Sequence, residues 1–196
     1  MRKFTSTLLL ATLALGVLSP LTAQTPETKA PAPKAATKGG GRASPHETIG
    51  AVLGARGTNT RVTITYGRPY AKGRTVWGEL VKWDKGDRLG ADEATLLLTQ
   101  SALQIGGATI QPGAYTLYIV PSAAGVSKLA ISSNIGKWGI PVDETKDIAR
   151  VELKQETLEA AVEQLTIAIV KGAEGEATLK ISWANTAFSV PVSIKK

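Results

Sequence analysis

Arg68, Arg74 and Arg88 fall within one irregular stretch of the chain, residues 66–95, together with Tyr66, Trp77 and Glu93. A guanidinium is planar and always charged, and its fork of N–H donors matches carboxylate, phosphate and sulfate groups. Tyr66 and Trp77 add flat faces on which a ligand ring can stack. The set suits an anionic small molecule or an envelope glycan carrying acid groups. A structural reading uses the same residues: Arg68 and Arg88 pair with Glu93 and Asp92 and pin a long connection over the end of a sheet, because its polar groups need partners.

No catalytic set accompanies them. Cysteine is absent, which removes thiolate nucleophiles, disulfides and cysteine-bound metals. His46 is the sole histidine, so any Ser-His-Asp arrangement would depend on it. Its position after Ser44-Pro45 suits a strand-end cap or a link to the arginine stretch. Asp92 and Glu93 are adjacent, and successive side chains on a strand face opposite ways, so they form no close carboxylate pair. A hydrolase would need a second acid from Asp84, Asp87 or Asp143. Asp143, Glu144 and Asp147 lack the alternating ligands and glycine of a calcium loop. With no phosphate-cradling loop or dinucleotide fingerprint either, no metal and no cofactor is expected.

The elements that must position this stretch have a period of two. Val62, Ile64 and Tyr66 alternate with Arg61, Thr63 and Thr65, and the runs Leu165-Ile167-Ile169, Leu179-Ile181-Trp183 and Phe188-Val190-Val192-Ile194 repeat the pattern. Such alternation marks strands with one face toward a core. Further strands are expected over residues 94–99, 103–105, 108–110, 115–120, 128–132 and 148–153. Gly106-Gly107, Gln111-Pro112-Gly113 and residues 172–175 supply turns. Pro191 cannot donate to a ladder and implies an edge strand or a bulge. Leu158, Ala161, Val162 and Leu165 have helical spacing and allow one short helix. The fold expected is all-β, an antiparallel β-sandwich or flattened barrel of roughly nine strands with at most one short helix. Trp183 is in phase with its strand and belongs to the core, whereas Trp138 either caps the core or lines a cleft.

The chain has 196 residues, 43% apolar and 20% charged, which is enough to bury a core in one domain. Its net charge of +7 is unevenly placed. Six of the 23 basic residues but only Glu27 of the 16 acidic ones precede Glu47, so the remainder carries +2. Without a basic stripe on the folded part, nucleic acid is not expected as a partner. Arg2 and Lys3, the apolar run Leu8 to Leu18 and the small residue Ala23 read as a secretory signal peptide over residues 1–23. The run is too short to span a bilayer, so no membrane span is expected after signal removal and the protein is placed in the periplasm or secreted. Residues 24–42, rich in Ala, Pro, Lys and Gly, read as a flexible spacer, and residues 43–196 as the β-sandwich domain.

Ser44-Pro45-His46-Glu47-Thr48, Tyr66-Gly67-Arg68-Pro69, Gly73-Arg74, Gly78 with Leu80-Val81, Arg88, and Gly90-Ala91 before Glu93-Ala94-Thr95 together resemble the bacterial exported proteins grouped as domain of unknown function 2911. Gly107, Pro112-Gly113 with Tyr115-Thr116-Leu117, Pro121 and Trp138-Gly139 extend the resemblance over about residues 43–196. Asp87 and Asp92 depart from it, standing where the family usually has Trp and Asn. The resemblance implies the domain and no activity. The favoured reading is a noncatalytic module that binds an anionic or sugar-like ligand through Tyr66, Arg68, Arg74, Trp77, Arg88 and Glu93. The alternatives are a structural or assembly component of the cell envelope and a carboxylate-dependent hydrolase.

Overall fold

A computed structural model describes residues 43–55, 57, 59–172 and 175–195; the leader and the spacer expected from sequence lie outside the described residues. Among them run ten strands: β1 (His46–Leu53), β2 (Thr60–Gly67), β3 (Thr95–Thr99), β4 (Leu103–Ile105), β5 (Ala108–Ile110), β6 (Gly113–Val120), β7 (Lys128–Ser132), β8 (Asp147–Glu152), β9 (Lys154–Lys171) and β10 (Ala177–Ile194). One 3-10 turn, Glu144–Lys146, precedes β8. The fold is all-β and antiparallel. A six-stranded sheet has the order β1-β2-β3-β6-β7-β8 and a four-stranded sheet the order β5-β4-β10-β9. The two face each other as a sandwich rather than a closed barrel.

Alternation makes the core. Val62, Ile64 and Tyr66 of β2, Leu97 of β3, and Tyr115, Leu117 and Ile119 of β6 meet Leu165, Ile167, Leu179, Ile181 and Phe188 of the opposite sheet. At about 25 cal/mol per Å² of apolar surface removed from water, this cluster supplies the main driving force for the fold. β6 is buried on its outer face too. Residues 133–147 run back across it, with Thr116 Oγ1 donating to the Asn134 carbonyl at 2.8 Å and the Tyr118 hydroxyl donating to Asp147 Oδ2 at 2.5 Å.

Two details differ from the sequence reading. Leu158, Ala161 and Val162, spaced as for a helix, lie in β9, where the ladder to β10 sets the backbone and only Leu158 and Val162 are half-buried. Long-range pairing outweighs a weak local period. β1 is a strand the sequence did not announce, because Ala51 and Leu53 alone among its residues are buried. Pro191 sits beyond the last β9 pair, Ser189 with Lys154, and just before the β4 ladder begins at Val192, so its missing N–H interrupts neither ladder. β10 also changes face: Leu179, Ile181 and Trp183 point inward at odd positions, Phe188, Val190 and Val192 at even ones. The switch occurs where the register shifts and Ala184 takes φ 49°. Among the described residues no helix is long and apolar enough to cross a membrane.

Candidate functional site

Residues 68–94 connect β2 to its sheet neighbour β3 by a long detour. Ala71, Val76, Trp77, Val81 and Leu89 are buried in the core and hold the detour against the sandwich. Backbone bonds tie it on three sides: Arg68 N to the Pro45 carbonyl at 2.8 Å, Ala71 N to the Glu163 carbonyl at 2.7 Å, and a reciprocal pair between Asp87 and Ile119 at 2.8 Å each. Four of the five positive-φ non-glycine residues among the described residues are here, Lys72, Asp84, Leu89 and Asp92. A left-handed Leu89 is costly, and such strain persists only where the surroundings over-determine it. Asp92, at φ 65°, has one of the residue types that tolerate this conformation.

Both expected stacking residues face inward. Tyr66 is 1% exposed; its hydroxyl donates to Glu47 Oε2 at 2.7 Å and accepts from Ile167 N at 2.9 Å. Burial pushes this hydroxyl up to about 12, helped by the Glu47 carboxylate and opposed by the Ile167 N–H and by Arg68. Trp77 packs edge-on against Phe188 at 4.9 Å and Trp183 at 6.2 Å, and its Nε1 donates to the Trp183 carbonyl at 3.1 Å.

The three arginines separate. Arg68 bridges the sheets: Nε donates to the Leu165 carbonyl at 3.1 Å, Nη2 to Thr166 Oγ1 at 2.9 Å, and Glu47 lies 3.4 Å away. Arg74 and Arg88 both line a cleft of about 520 Å³ with Tyr70, Lys72, Asp87 and Trp183. Arg74 is exposed and held by backbone, Nε donating to the Ala71 carbonyl at 2.9 Å and Nη2 to the Tyr70 carbonyl at 2.6 Å. Arg88 donates to the carbonyls of Gly90 at 3.3 Å, of Trp138 at 3.3 Å, and of Asp92. Among the described residues neither Arg74 nor Arg88 has a carboxylate within ion-pair distance.

Two further cleft residues carry unusual chemistry. Burial raises the Asp87 carboxyl above its ordinary range, against the opposing pull of the Leu89 N–H and of Arg88. Trp183 is 4% exposed and its buried indole N–H has no acceptor among the described residues. The sequence placed neither in the anion site: Asp87 entered as one of three candidate second acids of a hydrolase and as a departure from the family pattern, Trp183 as core. Tyr70, half-buried, supplies the aromatic side chain in the place Tyr66 and Trp77 leave.

Glu93 belongs to a different cluster from the arginines. His46 Nε2 lies 3.1 Å from Asp92 Oδ2 and 3.6 Å from Glu93 Oε2, so the strand-start histidine does join the arginine stretch, through its acids. His46, Glu93, Lys137 and Trp138 line a second cleft of about 510 Å³. Trp138 thus borders a cleft, with Arg88 Cζ 5.1 Å from its ring centroid. No curated protein and no solved structure matches the chain. The model of the family described as Protein of unknown function (DUF2911) matches residues 44–192, as the motifs around Tyr66 and Arg68 imply, and the chain belongs to that family.

Proposed function

We propose that the protein is an exported, noncatalytic module that binds an acidic group, of the kind carried by sugar acids and envelope glycans, in the cleft lined by Arg74 and Arg88. The observation that carries the reading is Arg74: its guanidinium is fixed in place by the Tyr70 and Ala71 carbonyls, stands in a cleft, and among the described residues has no carboxylate within ion-pair distance. A cation oriented before binding loses little entropy on taking a ligand. Lys72 adds positive charge and Tyr70 an aromatic surface. Tyr66, Arg68 and Trp77 fix the frame, each spending its polar atoms on other parts of the fold.

Calorimetric titration with galacturonate, glucuronate, phosphate and sulfate tests this. Arg74→Ala weakens binding about tenfold or more, as expected for loss of a charge-assisted hydrogen bond, while leaving the thermal midpoint within about 2 °C of the parent. Unchanged affinity in Arg74→Ala, or no anion bound by the parent protein, refutes the reading. A structural or assembly role is the second reading, favoured by Arg68 and Arg88, which among the described residues donate to carbonyls and a hydroxyl of this same fold. It expects no ligand to move any melt. Export is tested separately by the intact mass of the protein recovered from the producing cell: loss of residues 1–23 supports it, and a species retaining Met1 in the membrane fraction reverses it.

A further inference from the structure

The second cleft combines features that the first lacks. Trp138 is 54% exposed although its backbone is firmly held: its carbonyl accepts from Arg88 Nη1 at 3.3 Å, and Ala94 N donates to the Lys137 carbonyl at 3.2 Å. Gly139, next in the chain, takes φ 89° and packs so closely that a Cβ would lie 2.8 Å from the Arg88 Cβ and 3.0 Å from Ala94. The indole is therefore held in solvent by an anchored backbone, with Arg88 backing it on one side. Leaving that much apolar surface in water opposes the hydrophobic effect.

Charge selects the class of occupant. A cation is disfavoured, because Arg88 already lies over the indole and Lys137 lines the cleft. An anion is disfavoured by Glu93, and Asp92 stands behind His46. What remains is a neutral molecule with one apolar face and many hydroxyls. A pyranose ring has both: its C–H face matches an indole, and its hydroxyls donate to a carboxylate and accept from an ammonium. We propose that this cleft is a binding site for a neutral sugar ring, stacked on Trp138, with Glu93 accepting from its hydroxyls and Lys137 donating to them. Asp92 positions His46 at the cleft wall. Nothing in this inference uses Arg74, so it stands or falls apart from the anion site. Arg88 borders both clefts.

The test is nuclear magnetic resonance of the 15N-labelled full chain, following the indole N–H signals, with that of Trp138 assigned by its loss in Trp138→Phe. The probes are maltotetraose, cellotetraose and chitotetraose, with tetragalacturonate and choline as charged controls. A saturable shift of the Trp138 signal by at least one neutral tetrasaccharide is expected, and the affinity, followed in the variants through the backbone amide signals of Glu93 and Lys137, is weakened about tenfold or more in Trp138→Ala and in Glu93→Gln. Arg74→Ala should leave it unchanged. Thermal melts accompany the variants, and Trp138→Ala, which removes an exposed ring, should melt like the parent. No shift from any neutral probe at about 10 mM, a weaker affinity than a specific site provides, overturns the proposal. Binding that survives Trp138→Ala, or a response to the charged controls alone, overturns it too.

Discussion

Glu47 and Tyr66 stand directly opposite each other in the β1–β2 ladder, and the Tyr66 hydroxyl donates to Glu47 Oε2 at 2.7 Å while accepting from Ile167 N on the other sheet at 2.9 Å. One phenol therefore links the edge of the six-stranded sheet to β9. Tyr66→Phe keeps the ring and removes both bonds, leaving the Ile167 N–H without its hydroxyl acceptor. Urea unfolding should show a loss of about 2 kcal/mol. An unchanged midpoint would mean that the hydroxyl links nothing.

The same hydroxyl gives an alkaline signature. Its folded value, about 12, lies above the ordinary 10.0, so the stability it contributes is complete below pH 10 and is lost as pH rises toward 12. Tyr118, also raised by burial, adds a loss that starts in the same range. Unfolding measured from pH 9 to about 12 should therefore steepen in the parent and be shallower in Tyr66→Phe.

Arg68 and Arg74 should behave as opposites. Arg68→Ala takes a donor from the Leu165 carbonyl and from the Thr166 hydroxyl and removes the cation beside the Glu47 carboxylate, and should cost about 2 kcal/mol. Arg74→Ala loses contacts of an exposed side chain and should cost under about 1 kcal/mol. Denaturant titration of the two variants compares them directly, and equal losses would contradict the division between frame and cleft.

Asp87→Asn should stabilise the protein and strengthen anion binding. The fold disfavours the Asp87 charge, so its contribution is present at low pH, where it is protonated, and is lost as pH rises through the raised value. Asparagine removes that loss, and its carbonyl can still accept from Leu89 N. The gain in melting temperature should be largest near pH 7 and fade in acid. A variant less stable than the parent at pH 7 would show that Asp87 has a partner worth more than its burial costs.

Gly67 ends β2 against the far side of the detour. A Cβ there would lie 2.1 Å from the Ala91 carbonyl oxygen, a backbone atom that cannot step aside cheaply. Gly67→Ala should cost about 3 kcal/mol or more and, by displacing Ala91, weaken ligand binding in the adjoining cleft. Melting and titration of one sample read both effects.

The strands were legible because burial writes itself into alternation. Val62, Ile64 and Tyr66 announce β2, and Leu103 to Ile105 and Ala108 to Ile110 match β4 and β5 residue for residue. β1 was hidden, since an edge strand with two buried residues leaves little pattern. The arginine stretch was legible as a location and not as a wiring diagram. Proximity in sequence suggested Arg88 with Asp92 and Glu93, yet the left-handed turn at Asp92 presents its carbonyl to Arg88 and leaves the carboxylate near His46. Arg68 finds Glu47 across a ladder that has to form first. Tyr66 and Trp77 have the composition of a binding surface and the environment of a core, a distinction that only the third dimension makes.

The change of face at Ala184 places a demand on chain length. Trp183 and Phe188 are both buried, on opposite parities of one strand. Deleting a single residue between them would rotate Phe188, Val190 and Val192 outward and bring Ser189, Pro191 and Ser193 into the core, although every remaining side chain would be unaltered. Between those two aromatics the gene must keep count as well as spelling: an in-frame loss of one codon reverses the whole C-terminal half of the strand.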